Sequence, residues 1–142
     1  MSFQAKRRAD YQPPAFSIAT VDLHITLHPT QTKVISTLSV TRNGAHDSPL
    51  VLDGDNLSLD SISINGTHLS DNEYTVTDSA LSVVTELDEF VLEITNTIAP
   101  EHNKALEGLY LSGGAYCTQC EAEGFRRITY FMDRPDVLSV YT

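Results

Sequence analysis

Apolar and polar residues alternate along much of this chain. Val21-Asp22-Leu23-His24-Ile25-Thr26-Leu27-His28 alternates without a break, which predicts a strand with one face buried. Pro29-Thr30-Gln31 ends it. Val34, Ser36, Leu38 and Val40 then line one face of a second strand, with Lys33, Thr37 and Ser39 on the other. Asn43-Gly44 marks a turn. Leu50-Val51-Leu52 is a short strand that stops at Asp53-Gly54-Asp55-Asn56. Leu57-Ser58-Leu59 and Ile62-Ser63-Ile64 alternate in opposite phases, so a bulge or bend is expected at Ser61. Asn65-Gly66 is the strongest hairpin signal, with a return strand beginning at His68-Leu69. Tyr74-Thr75-Val76-Thr77 and Ala80-Leu81-Ser82-Val83-Val84 flank Asp78-Ser79 as another hairpin, and Phe90-Val91-Leu92-Glu93-Ile94-Thr95 is a further strand.

Short strands with turn signals roughly every eight to twelve residues predict an all-β domain. The expected form is a sandwich or open barrel of mostly antiparallel strands. No window carries a helical stripe, and residues 105–111 have room for one helical turn at most. From Ala99-Pro100 onward the texture changes. Glu107-Gly108-Leu109-Tyr110, Ser112-Gly113-Gly114 and Glu123-Gly124-Phe125 interrupt the alternation. The C-terminal part is therefore expected to be loop-rich, and loops on a rigid scaffold often carry function. Val137-Leu138-Ser139-Val140-Tyr141-Thr142 resumes a strand and stops in mid-pattern, which suggests truncation of a longer protein.

The length of 142 residues suits one domain, residues 1–142, with a core of its own. There are no internal repeats. The net charge is −10, and the basic residues gather at Lys6, Arg7 and Arg8 and at Arg126, Arg127 and Arg134. The acidic body between them argues against nucleic acid, which needs a basic face, and against anionic membrane surfaces. No signal peptide is visible, and no apolar run approaches the ~18 residues of a membrane span. A cytoplasmic location is the expectation.

Several constellations invite chemical readings. Cys117-x-x-Cys120 has the spacing of half a zinc site or of a redox pair. A structural zinc needs four ligands, and no second Cys pair exists; a redox motif expects a βαβ setting. Packing as two small buried apolar side chains is the favoured reading, with metal and redox roles as the alternatives. His24 and His28 fall on one polar strand face, and His46, His68 and His102 are scattered; His-Glu-x-x-His is absent. Gln119, Glu121 and Glu123 are spaced by two, so an extended segment would point all three to one face. Such acceptors suit a cation or an ammonium group, since a charge-assisted hydrogen bond contributes about 1.5–3 kcal/mol. The alternative is a solvated acidic edge paired with Arg126 and Arg127.

Three stretches add a further signal. Ala105-Leu106-Glu107-Gly108-Leu109-Tyr110, Cys117-Thr118-Gln119-Cys120-Glu121-Ala122-Glu123-Gly124-Phe125, and Ile128-Thr129-Tyr130 with Asp133-Arg134-Pro135-Asp136-Val137 resemble the end of the N-terminal β-domain of the bacterial aminopeptidase N family. Asp10-Tyr11, the strand at 21–27 and Asn96-Thr97-Ile98 resemble it more loosely. The resemblance implies a saddle-like β-domain packed on a catalytic domain, in a zinc exopeptidase that removes residues from peptide N-termini. It implies that Glu121 binds the substrate's free α-amino group and that Gln119 lines the pocket for the first side chain. Residues 105–136 would form the substrate-anchoring segment. The family's Gly-Ala-Met-Glu-Asn and His-Glu-x-x-His motifs are absent from these 142 residues. Zinc is thus expected in the full-length parent and none in this chain, which alone is expected to be inactive. The implied partners are the peptide N-terminus and the parent's catalytic domain. A stand-alone β-sandwich binding or structural module is the rival reading.

Overall fold

β1 (Phe16–Thr26) and β2 (Thr32–Arg42) form an antiparallel pair in the main sheet. The computed structural model describes residues 7–142; Lys6 of the N-terminal basic cluster lies outside them. On β2 the alternation behaves as expected: Val34, Ser36, Leu38 and Val40 are buried while Lys33 is exposed. β1 begins five positions before the expected start. A bulge between Ile18 and Thr20 lets Ile18 and Val21 both face the core, both 1% exposed, because the extra residue resets the phase of the strand. Past Leu23 the burial fades. Ile25 and Leu27 are exposed, although the alternation predicts them on the buried face. Neither apolar cluster extends to this end of β1, so its face there is left to solvent.

The other strands are β3 (Leu50–Asp53), β4 (Ser58–Ile64), β5 (Thr67–His68), β6 (Tyr74–Val76), β7 (Ala80–Val83), β8 (Glu89–Ile98), β9 (Gly108–Ser112), β10 (Ala115–Gln119) and β11 (Val140–Tyr141). The main sheet runs β11-β1-β2-β8-β4-β5, a second runs β3-β7-β6, and β9 pairs with β10. All pairs are antiparallel except β11 with β1. No sheet closes into a barrel, and helical structure among the described residues is confined to three short 3-10 turns. The all-β expectation thus holds in its sandwich form. Asn65-Gly66 makes the two-residue turn between β4 and β5, with φ of 50° and 81°, the left-handed pair of a type I′ turn. The phase change in β4 is a bulge between Leu59 and Ser61, which leaves Asp60 to bond the Thr97 hydroxyl at 2.6 Å.

One apolar cluster joins the two larger sheets. Phe16, Leu38, Leu92 and Ile94 from the main sheet meet Leu50, Leu52, Leu81 and Val83 from the second. Burying each such side chain contributes about 1.5–3 kcal/mol. A smaller cluster of Val34, Ile98, Leu109 and Ile128 seats β9 and the chain after β10 against the end of β2 and β8.

The C-terminal region holds more regular structure than the sequence pattern suggests. Ser112 pairs with Ala115 around Gly113-Gly114, and Gly108 with Gln119. Gly113 and Gly114 have φ of 58° and 82°, so they close a tight hairpin where the composition reads as loop. The helical turn allowed for at 105–111 does not form there; it forms earlier, at Pro100–His102.

Candidate functional site

Gln119 is the last paired residue of β10, and the chain reverses directly after it. The Gly124 amide donates to the Cys120 carbonyl at 2.8 Å, which closes a turn over 120–124. The Glu121–Ala122 peptide bond within it is cis. The extended segment that would align Gln119, Glu121 and Glu123 on one face is therefore not present. Two glycines permit the fold. A Cβ on Gly124 would collide with the Gln119 carbonyl and stand 2.9 Å from the Cys120 Cα. Gly108 has φ +72°, and a Cβ there would lie 2.7 Å from the Arg127 Cβ.

The three acceptors part company in this turn. Gln119 donates its amide Nε2 to the Glu121 carbonyl at 3.3 Å, a bond that braces the backbone next to Glu121. Glu123 lies 3.7 Å from the Arg126 guanidinium. Glu121 is exposed, and among the described residues no cation pairs with its carboxylate. Arg127 is engaged elsewhere, with Asp55 at 2.8 Å and Glu107 at 3.3 Å. The solvated, Arg-paired edge thus describes Glu123 and leaves out Glu121.

Arg126 is the residue that the spacing argument undervalues. Its Nε donates to Asp133 Oδ2 at 3.1 Å and one terminal nitrogen donates to the Asp133 carbonyl at 3.0 Å. Its backbone amide donates to the same carboxylate at 3.2 Å, and Asp53 lies 3.7 Å away. Burial opposes the Arg126 charge, but the Asp133 hydrogen bond and the charges of Asp53, Glu123 and Asp133 outweigh it and raise its pKa. Asp53 is also bound by the Asp133 amide at 3.0 Å. The backbones of Asp53 and Phe131 exchange hydrogen bonds at 2.7 and 3.1 Å. The segment after the turn is therefore stitched to the end of β3, some eighty positions away. Only the adjacency of Arg126 to the acidic run hints at this in the sequence.

Beneath the turn, Phe125 meets Phe131 and Tyr141 edge-on at 5.3 and 5.7 Å. Burial first, then Asp133 and Cys120, push the Tyr141 pKa up. Partial desolvation and then Asp133 likewise push up the Cys120 thiol, which favours its protonated form. Both cysteines are free, Cys117 half-buried and Cys120 exposed, so neither is the buried apolar side chain that their composition suggests. Among the described residues no three of His, Cys, Asp and Glu converge as a metal-ligand set. A catalytic zinc needs three protein ligands and an open position, and the donors among the described residues do not form that set. His28 lies past the end of β1, where its Nδ1 accepts the amides of Thr30 and Gln31 at 3.2 and 3.1 Å; His24 remains on the strand.

Residues 10–142 match the family model of the peptidase M1 N-terminal domain. The chain belongs to that family. As an M1 N-terminal domain it is 54% identical over 139 residues to aminopeptidase N of Caulobacter vibrioides, and 46% identical over 142 residues to aminopeptidase N of Escherichia coli. Each alignment covers 98% of this chain and 16% of the relative, so the chain spans about a sixth of their length. Among solved structures, Legionella pneumophila aminopeptidase A in complex with aspartic acid superposes with a TM-score of 0.86. The identity is 34%, over 96% of this chain and 16% of that one. An M1 zinc metallopeptidase of Deinococcus radiodurans, a mutant bound to a Tyr-Ser-Ala substrate, shares the fold at a TM-score of 0.73. Its identity is 19%, over 89% of this chain and 31% of that one. No helix among the described residues of this M1 domain is long and apolar enough to cross a membrane.

Proposed function

We propose that residues 1–142 are the substrate-anchoring N-terminal domain of a cytoplasmic zinc aminopeptidase, with 105–136 as the anchoring segment. Glu121 holds the ammonium group of the peptide N-terminus, and Gln119 lines the pocket for the first side chain. The observation that carries this reading is the state of Glu121. Its carboxylate is exposed and, among the described residues, unpaired, in a turn whose other acid, Glu123, already has a cation. A carboxylate in that state accepts charge-assisted hydrogen bonds from an amine without first giving up a partner. A neutral amide in the same place lacks the charge, so the site selects free N-termini over chain interiors.

Zinc, when bound in the parent, supplies the activated water for hydrolysis. Its ligands belong to the catalytic domain that follows this one in the parent, and no hydrolytic step is assigned to these 142 residues. The aminopeptidase N relatives, of which this domain is 16%, support this reading over a stand-alone binding module. The test is Glu121→Gln in the full-length chain, assayed on dipeptides. Loss of one charged hydrogen bond of ~1.5–3 kcal/mol lowers kcat/KM roughly 10- to 150-fold. An unchanged kcat/KM overturns the assignment.

A further inference from the structure

The turn that carries Glu121 has few ties of its own. Within it, the Gly124 amide reaches the Cys120 carbonyl and the Gln119 side chain reaches the Glu121 carbonyl. The first closes the turn on itself, and the second braces it on Gln119, the last residue of β10. Among the described residues, the one polar side-chain contact that ties positions 120–123 to anything beyond β10 is Glu123 with Arg126. Arg126 in turn grips the scaffold twice, through Asp133 and through Asp53 on β3. A guanidinium suits this task. It is planar, permanently charged and carries five donors in a fixed fork, so it can span acceptors on different segments, where an ammonium offers three donors from a single atom.

We propose that Arg126 is a positioning residue for Glu121, its guanidinium tying the turn through Glu123 to Asp53 and Asp133. This rests on the reading of Glu121 as the amine anchor. The anchor's direction is then set by β3 and by the residues after the turn, as well as by β10. A small displacement of the turn moves the carboxylate off the ammonium while leaving the fold intact, and a misplacement of about 1 Å can cost on the order of 100-fold.

The test is a double-mutant cycle in the full-length chain, scored on dipeptides with a free amine. Arg126→Met is expected to lower kcat/KM about 10-fold, mostly through KM. In a Glu121→Gln background the same change is expected to cost less than about twofold, because there is no anchor left to position. Arg126→Lys recovers part of the loss. Glu123→Gln is the second variant, since it cuts the tie to the turn and leaves Arg126 on Asp133. It is expected to reproduce the KM effect and its coupling to Glu121 with an unchanged melting temperature. Additive losses in the cycle, or a Glu123→Gln enzyme with native KM, overturn the positioning role while leaving the anchor in place. A Glu121→Gln enzyme with native kcat/KM overturns the anchor itself, and the positioning role with it.

Discussion

Tyr11 donates a hydrogen bond to Asp136 at 2.9 Å across 125 positions of sequence. Arg134 grips the same carboxylate at 2.8 and 2.6 Å and also reaches the Gln12 carbonyl at 2.9 Å. The two ends of the chain thus meet at one acid. The Arg134 hydrogen bond, helped by Tyr11, lowers the Asp136 pKa. The Asp136 hydrogen bond, with some desolvation, raises that of Tyr11 above 10.0. A depressed acid contributes stability above its unfolded pKa and loses it as pH falls through the folded value. A raised phenol contributes below its unfolded pKa and loses it as pH rises through the folded value. Melting temperature against pH should therefore separate wild type from Asp136→Asn most near neutrality, with the gap closing at acid pH and narrowing only in part at alkaline pH, where the Arg134 pair persists. Tyr11→Phe should flatten the alkaline side and also weaken the acid side, since Tyr11 helps to hold the Asp136 pKa down.

The buried hydroxyl of Thr129 is the most exacting hydrogen bond in the core. It lies 2.8 Å from Asn96 Oδ1 and 3.2 Å from Ser36 Oγ, with all three residues 0% exposed. An amide oxygen only accepts, so Thr129 spends its one proton on Asn96 and receives one from Ser36. Asn96 passes the chain on to the Ile128 carbonyl at 3.0 Å. Thr129→Val should cost about 1–3 kcal/mol in urea denaturation, since it orphans the Asn96 oxygen. Ser36→Ala should cost less, because it removes only the donor at the end of the chain.

Gly124 separates steric cost from backbone cost. Its φ of −87° is ordinary, and what forbids a side chain is the backbone of Gln119 and Cys120. Gly124→Ala should destabilise by about 1–3 kcal/mol through overpacking and speed amide exchange in β9 and β10. Gly66 has the opposite problem, φ +81° with nothing within 4 Å. Gly66→Ala should cost about 1–2 kcal/mol and leave exchange in that hairpin unchanged.

Leu106 is an exposed residue at φ +59°, a conformation that costs a leucine about 1–2 kcal/mol. Asn103 holds it there, donating to the carbonyls of Glu107 and Leu109 at 2.6 and 3.0 Å and accepting the Ala105 amide at 3.1 Å. Leu106→Gly should be neutral or stabilise by less than about 1 kcal/mol, since glycine's entropy offsets part of the relief. Asn103→Ala should destabilise, and thermal melts of the pair would show opposite signs if the brace is what imposes the strain.

The strands at 32–42, 50–53 and 89–98 and the Asn65-Gly66 hairpin were legible because local alternation and turn chemistry agree with the final burial. Ile25 and Leu27 mislead because alternation reports which face a residue takes and not whether anything covers that face. The β9–β10 hairpin is masked by Gly108, Gly113 and Gly114, which weaken a strand signal although they are what the turn and the close approach to Arg127 require. Gln119 and Glu121 stand out in the sequence as a polar run. What sets Glu123 apart from Glu121 does not, because spacing alone does not say which acid Arg126 reaches once Asp133 and the sequence-distant Asp53 have engaged it.

β11 lies parallel to β1, and Leu23 and Thr142 bond across that seam at 2.9 Å. The strand translated first among these eleven is therefore the one whose outer side is covered last. During synthesis β1 can pair with β2 early, yet its free edge waits until more than a hundred further residues have emerged. An open edge of that kind invites pairing with another chain. The nascent domain is most exposed to aggregation in the interval before residues 140–142 arrive, and a chaperone that shields β1 would act at that stage.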